Sequence, residues 1–488
     1  MYPLSPVGHP CRFQTNIFQE IQMVQVLETS SHKIQEIRQR QREFFRSGQT
    51  LDIAFRKRQL MGLRNSIREH EEELLRALEK DLGKSEFEAF SNEIGLVYAE
   101  IRHALKNLKR WSKARRIGVE LYLRPGTGRI FPEPYGSALI IGPWNYPMQL
   151  LFLPAVGAIS AGNCIVLKPS ELASHTAEVS RKIIESAFPP EYGAIVQGGP
   201  EVSRELIDQN FDYLFFTGSV GVGKKVMEAA SVHLTPLTLE LGGKSPAFVH
   251  RSADIELAAR KIAFAKYNNA GQTCVAPDYV LVDTAVERPF LEALDRTITE
   301  FYGARPRNST AYGRIINMKN FNRLETLMNR TEGKLFHGGE RDSGELYIEP
   351  SVYDNISWDD PLMEDELFGP ILPVISYTSL EESIRRVADG PKPLAAYIFA
   401  RDSKAASSIS RAFPFGGGGV NSALLHVASH KLPFGGVGSS GMGRYHGKAS
   451  FDTFSHYKSM LHQPSSFDMK LAYPHKKLSM SMVRKIFS

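Results

Sequence analysis

Cysteine is scarce. The 488 residues hold three, Cys11, Cys164 and Cys274. Three thiols build no disulfide framework, so the chain is expected in a reducing, cytoplasmic setting, with each cysteine serving either packing or chemistry. A strong excess of one charge is also missing. Lys plus Arg is 59 and Asp plus Glu is 53, a net charge of +6. Spread over this length, that gives no basic signature of a nucleic-acid binder. The chain does not open on a basic start followed by an apolar stretch, as a secretory signal would. Helical periodicity is absent from residues 1–22 and begins near Met23, so 1–22 reads as a leader and Met23 as a candidate start. The longest uncharged run, 134–167, has the length of a membrane span, but Gly142, Pro143, Pro147, Pro154 and Gly157 interrupt it. It reads instead as buried strand, functional turn, buried helix, buried strand. No metal site is expected. His426 and His430 stand four apart as in zinc-binding helices, but Val427 takes the place of the required Glu. No G-x-S-x-G nucleophile elbow occurs.

What is present is an ordinary globular composition, 42% hydrophobic and 23% charged, which excludes wholesale disorder and a polytopic membrane protein. At about 150 residues per domain, the length predicts roughly two to three domains. Residues 30–80 and 83–113 show helical spacing, and the alternation of Val119, Leu121 and Leu123 predicts an extended strand over 117–135. From 136 the pattern alternates. Strands are predicted at 137–141, 164–168, 194–197, 213–217 and 246–250, with helices at 173–188, 200–209, 221–232 and 254–268 between them. Such alternation predicts an α/β fold with a parallel sheet, and dinucleotides bind at the carboxyl ends of its strands. A second α/β unit follows: strands at 279–283, 371–376 and 395–399, helices at 285–302, 318–329, 379–388 and 403–412. The segment 415–447 is rich in glycine, as expected where backbone approaches a ligand.

Several segments carry chemistry, each with a plainer alternative. Phe215-Phe216-Thr217-Gly218-Ser219-Val220-Gly221-Val222-Gly223-Lys224 follows a strand and opens a helix. Lys225 stands where a P-loop needs Ser or Thr, so it is either a weak dinucleotide turn or a structural one. Lys168-Pro169-Ser170-Glu171, at a strand end, suits ribose hydroxyls or a helix cap equally. Glu240, inside the apolar Leu239-Glu240-Leu241, must be paired or have a raised pKa, the latter being what a general base needs. Cys274 lies between small residues near Gly271 and Pro277, where a thiolate can be stabilised and reached, whereas Cys164 reads as core. Asn145, between aromatics and prolines in Gly142-Pro143-Trp144-Asn145-Tyr146-Pro147, is a donor to an oxyanion or a turn cap.

Together PWNYP, KPSE, FTGS, LELGGKSP, GQTC, ELFGP and FGGVGSSGMGRYHG, in this order, resemble the aldehyde dehydrogenase superfamily from about 23 to 462. GQTCVAPDY and Tyr445-His446-Gly447 resemble its class 3 branch, which includes fatty and aromatic aldehyde dehydrogenases. The resemblance implies a Rossmann-like cofactor domain (23–113 and 137–238), an α/β catalytic domain (239–420) and a bridging flap (114–136 and 442–462) that pairs two subunits into a homodimer. It implies Cys274 as nucleophile, Glu240 as base for the hydrolytic water and Asn145 as oxyanion donor. Lys168 and Glu171 would hold the adenosine ribose. Gly218, with Ser219 and Gly223, would form the pyrophosphate turn, and Glu366 and Phe368 would contact the nicotinamide side. The implied reaction oxidises a medium- or long-chain aliphatic, or aromatic, aldehyde to the acid with NAD. Glu171 disfavours a 2′-phosphate, but Lys168 beside it leaves NADP open. A cofactor-independent thiol hydrolase and a non-catalytic dinucleotide scaffold are the alternatives. The intact nucleotide motifs argue against the first and the intact Cys, Glu and Asn set against the second. The tail 463–488 is basic, with five Lys/Arg and no acid from Lys470 on. Leu478, Met482 and Ile486 fall four apart, so the tail either touches a membrane surface as an amphipathic helix or, more plainly, packs on the dimer or stays free.

Overall fold

The computed structural model describes residues 28–468, 473 and 479–487. The expectations on the leader 1–22, Cys11, Met23 and Leu478 lie outside them. The region 30–113 forms the helices Ser31–Arg46, Ile53–Glu69, Glu71–Leu82 and Gly95–Trp111, with the short Glu86–Ala89 helix and a π-type turn at Phe90–Ile94 between the last two. Ser30 and Asp52 cap the first two by accepting first-turn amides. Leu60, Leu63, Ile67, Leu74 and Leu78 are fully buried, and the two helices that carry them pack on the helices Gly95–Trp111, Gln149–Ala161 and Ser174–Ala187.

That sheet has the order Gly441–Met442, Leu237–Glu240, Tyr213–Thr217, Ser137–Ile141, Cys164–Lys168, Gly193–Ile195. All but the first strand run parallel. The 137, 164 and 213 strands are buried at every position, as the apolar runs of a sheet covered on both faces must be. Strand order reverses on either side of Ser137–Ile141. The carboxyl ends of this strand and of Tyr213–Thr217 therefore border a switch-point crevice. The Leu237–Glu240 strand spans the boundary expected between 238 and 239, so the first sheet extends to Glu240.

A second sheet has seven strands in the order Lys334–His337, Ser351–Asp354, Ile371–Tyr377, Tyr279–Asp283, Pro246–Val249, Ala395–Phe399, Gly417–Val420. Only its first pair is antiparallel. A third, small sheet pairs Arg115–Ile117, Thr127–Pro134 and Ser455–His462 antiparallel. Here the expected continuous strand over 117–135 is corrected. A 3₁₀ turn, Leu121–Leu123, separates two strands, and Leu121 is 79% exposed. The apolar alternation there is not burial, and Gly118, Pro125 and Gly126 break the ladder. In the tail, Met480–Phe487 is helical with Met480 and Met482 exposed. Among the described residues no helix is long and apolar enough to cross a membrane.

Candidate active site

The two larger sheets meet at a cleft of about 1050 Å³. Seven of the ten residues singled out in the sequence line it: Asn145, Gly218, Ser219, Glu240, Cys274, Glu366 and Phe368. Asn145 follows the Ser137–Ile141 strand, in a turn stiffened by Pro143 and Pro147 ahead of the helix Gln149–Ala161. Glu240 ends its strand opposite Thr217. Cys274 follows the 3₁₀ turn Asn268–Gly271.

The backbone before Cys274 is strained. Asn269, Ala270 and Gly271 have φ of 52°, 50° and 74°. Two left-handed non-glycine residues in a row cost free energy that the surroundings must offset. Glu88 accepts from the Asn269 amide (2.8 Å), and Asn269 Nδ2 donates to the carbonyls of Asn145 (2.8 Å) and Gln272 (3.2 Å). Gln272 Nε2 donates to the Asn269 and Arg314 carbonyls, and its oxygen accepts from the Ile316 amide. Gly271 is required, because a Cβ there would lie 2.2 Å from the Gly369 carbonyl oxygen.

Asn145 Nδ2 donates to the Gln272 carbonyl (2.9 Å), which fixes the amide plane. An NH₂ group carries two hydrogens, so one remains for a ligand. Tyr146 and Thr273 hydroxyls are hydrogen-bonded at 2.7 Å, tying this turn to the Cys274 loop. Neither carboxyl oxygen of Glu240 has a hydrogen-bond partner among the described residues. Burial holds this carboxyl well above the usual carboxylate range. Cys274 is partly exposed. Its desolvation, then the Glu366 and Glu240 carboxylates, push its thiol up. That direction is opposite to the stabilised thiolate that the sequence reading allows at this position. Cys164, by contrast, is fully buried on its strand, with the thiol pushed up to about 12, and is core as expected.

The Glu366 carboxyl sits over Gly242, where a Cβ would fall 1.9 Å from its Oε2. Burial, then the nearby Asp278, push it up to about 8. Lys244 and Arg323 hold its loop by donating to the carbonyls of Asp365 (2.8 Å) and Leu367 (2.5 Å). Phe368 meets Trp144 edge-on, centroids 5.3 Å apart. Lys168 and Glu171 pair with each other at 2.8 Å, outside the cleft lining. Gly223 also lies outside it, within the helix Val220–Ser231, where a Cβ would meet Leu241 Cδ2 at 2.5 Å. Its expected place in a pyrophosphate turn is corrected to close helix packing. Gly218, Ser219, Val220 and Gly221 do line the cleft at that helix's N-terminus. Main-chain amides there, at the positive end of the helix dipole, suit a pyrophosphate, so the residues present fit a dinucleotide. Sequence reasoning missed Lys84, Glu88 and Glu93 and gave no role to Asn269 and Gln272; together they brace the site, with Glu88 also on the cleft wall. A Lys or Glu within a charged helical segment carries no signal of burial.

An α/β crevice lined by a cysteine, a buried carboxyl, an amide donor and a helix N-terminus that fits a pyrophosphate has the make-up of a nucleotide-dependent oxidoreductase. The profile of the aldehyde dehydrogenase family matches residues 14–460. The chain belongs to that family and is an NAD(P)-dependent aldehyde dehydrogenase. It is 46% identical over 444 residues (91% of this chain, 97% of the relative) to 4,4'-diaponeurosporen-aldehyde dehydrogenase of Staphylococcus aureus. It is 44% identical over 422 residues (86% and 90%) to human aldehyde dehydrogenase family 3 member B1. Among solved structures, the substrate-bound state of Staphylococcus aureus AldH matches with a TM-score of 0.91 at 45% identity, covering 93% of this chain and 99% of that one. An indole-3-acetaldehyde dehydrogenase complexed with NAD+ matches with a TM-score of 0.82 at 26% identity, covering 90% of each chain.

Proposed function

We propose that this enzyme oxidises medium- or long-chain aliphatic, or aromatic, aldehydes through a thioester on Cys274. The observation that carries the reading is the convergence of Cys274, Glu240 and Asn145 on one cleft whose further wall is apolar, with Phe264, Phe301, Tyr302, Leu424 and Val427. Such a wall suits an alkyl or aryl chain. The Cys274 proton passes to the ionised form of Glu240, and the thiolate attacks the aldehyde carbon. A C–S bond forms and the oxygen becomes an alkoxide, met by the second Asn145 amide hydrogen and the Cys274 N–H. Each such donor is worth about 3–4 kcal/mol. The bound nicotinamide supplies the acceptor for the hydride released when the alkoxide collapses to the thioester. Glu240, its proton lost to solvent, then deprotonates a water. The resulting hydroxide adds to the thioester carbonyl, the Cys274 thiolate leaves, and the carboxylic acid is released. Gly218 and Ser219 hold the pyrophosphate, Glu366 and Phe368 the nicotinamide side, and Lys168 and Glu171 the adenosine ribose.

The first sheet with the helices of 30–113 serves as cofactor domain and the second as catalytic domain. The small sheet pairs two copies into a homodimer in a reducing, cytoplasmic compartment, where Cys274 stays a thiol. NADH formation over a series from propanal to tetradecanal, with benzaldehyde, tests the substrate reading. kcat/KM is expected to rise with chain length and to vanish in Cys274→Ser. A flat series refutes the substrate class, and undiminished turnover of Cys274→Ser refutes the nucleophile.

A further inference from the structure

Asn145 is held by a lysine that lies outside the cleft lining. Lys84 follows the helix Glu71–Leu82, and its side chain is 0% exposed, as is that of Glu93. Its Nζ donates to Glu93 Oε1 (2.5 Å) and to the main-chain carbonyl of Asn145 (2.8 Å), and lies 4.1 Å from the Tyr146 ring centroid. The other Glu93 oxygen accepts from the amides of Met148 (2.9 Å) and Gln149 (3.2 Å), where the next helix begins. One buried pair thus grips both sides of the turn that carries Asn145. Asn269 Nδ2 reaches the same Asn145 carbonyl, so Lys84 also closes the link between this turn and the strained loop before Cys274.

Stability alone is a poor reason for such a pair, because a well-packed apolar filling of the same volume is often as stable. An apolar filling, however, cannot fix the direction of a carbonyl. We propose that Lys84, paired with Glu93, is a positioning residue: it orients the Asn145 peptide and so aims the side-chain amide at the alkoxide. The proposal rests on Asn145 being the alkoxide donor.

The test is single-turnover NADH formation at saturating NAD and aldehyde, in the full chain, together with aldehyde KM and NAD affinity. Because K84M leaves Glu93 a buried carboxylate without its partner, K84M/E93Q is made as well, which removes both charges of the pair. N145A alone is expected to slow the single turnover about 100- to 1000-fold. K84M and K84M/E93Q are expected to slow it about 10- to 100-fold, the scale of an ångström of misplacement, with KM and NAD affinity within about twofold. Added to N145A, K84M is expected to cost less than about twofold, since its route of action is gone. A wild-type single-turnover rate in K84M/E93Q overturns the proposal. So does an equal loss from K84M in both backgrounds, which a merely structural role would give. An unchanged rate in N145A instead overturns the donor reading itself, and the proposal with it.

Discussion

Replacing Glu240 by Gln separates the two halves of the proposed reaction. The side chains are nearly isosteric. Neither Glu240 oxygen has a hydrogen-bond partner among the described residues, so the substitution breaks no hydrogen bond to them. What it removes is the base for hydrolysis, a contribution of about 100- to 10,000-fold, or ~2.7–5.4 kcal/mol of barrier. Rapid mixing of enzyme, NAD and aldehyde is expected to show a burst of NADH near one per active site. After it, the steady state is slowed by that factor. Proton removal from Cys274 then falls to solvent, so the burst slows less than the steady state. The wild-type hydrolytic rate is expected to rise with pH through the raised Glu240 pKa, and the variant is expected to lose that rise. Stability gives an independent check. The folded carboxyl keeps its proton to higher pH than the unfolded one, so its contribution to stability is greatest below the unfolded pKa. That contribution is lost as pH rises through the folded pKa, at about 1.4 kcal/mol for each pH unit between the unfolded and folded values. Gln has no such loss. The variant's Tm is therefore expected to match wild type at about pH 4 and exceed it increasingly above about pH 5. A normal steady-state rate, or a burst lost as completely as the steady state, would refute the base assignment. A lower Tm for the variant at alkaline pH would refute the desolvation argument.

Two other substitutions probe the cofactor side. Gly242→Ala puts a methyl where the Glu366 Oε2 now lies, 1.9 Å from the Cβ position, and must displace that carboxyl. NAD KM is expected to rise at least about tenfold with NAD-free Tm lowered only a few degrees, and an unchanged KM would remove Glu366 from the nicotinamide side. Glu171→Gln frees Lys168 from its 2.8 Å partner and removes the charge expected to repel a 2′-phosphate. The ratio of kcat/KM for NADP to that for NAD is expected to rise about tenfold, ~1.4 kcal/mol, and an unmoved ratio would take this pair away from the adenosine ribose.

What could be read from the sequence follows from how the chemistry is encoded. Asn145, Glu240 and Cys274 each sit in a short segment where glycine, proline or a lone acid among apolar residues announces a constraint, and the three segments fold onto one cleft, whereas Glu366 is reached only through the family resemblance. Buried strands such as Ser137–Ile141 and Tyr213–Thr217 are equally plain, because burial on both faces writes a continuous apolar run. Edge strands are not. Gly417–Val420 reads as a ligand loop, yet its glycines let the chain lie against the Ala395–Phe399 strand, where a Cβ on Gly418 would be 1.9 Å from the Ala396 oxygen. Glycine marks close approach without saying whether a ligand or another strand approaches. Lys84 and Glu93 are illegible for a different reason. They stand nine residues apart, Glu93 within the π-type turn Phe90–Ile94, in a stretch whose charges look like a solvated helix face. Their burial exists only because the Asn145 turn, some sixty residues on, folds over them. Groups that meet the reacting atoms are constrained by chemistry and leave local motifs. Groups that aim them are constrained only by the assembled fold, so a structure is needed to find them.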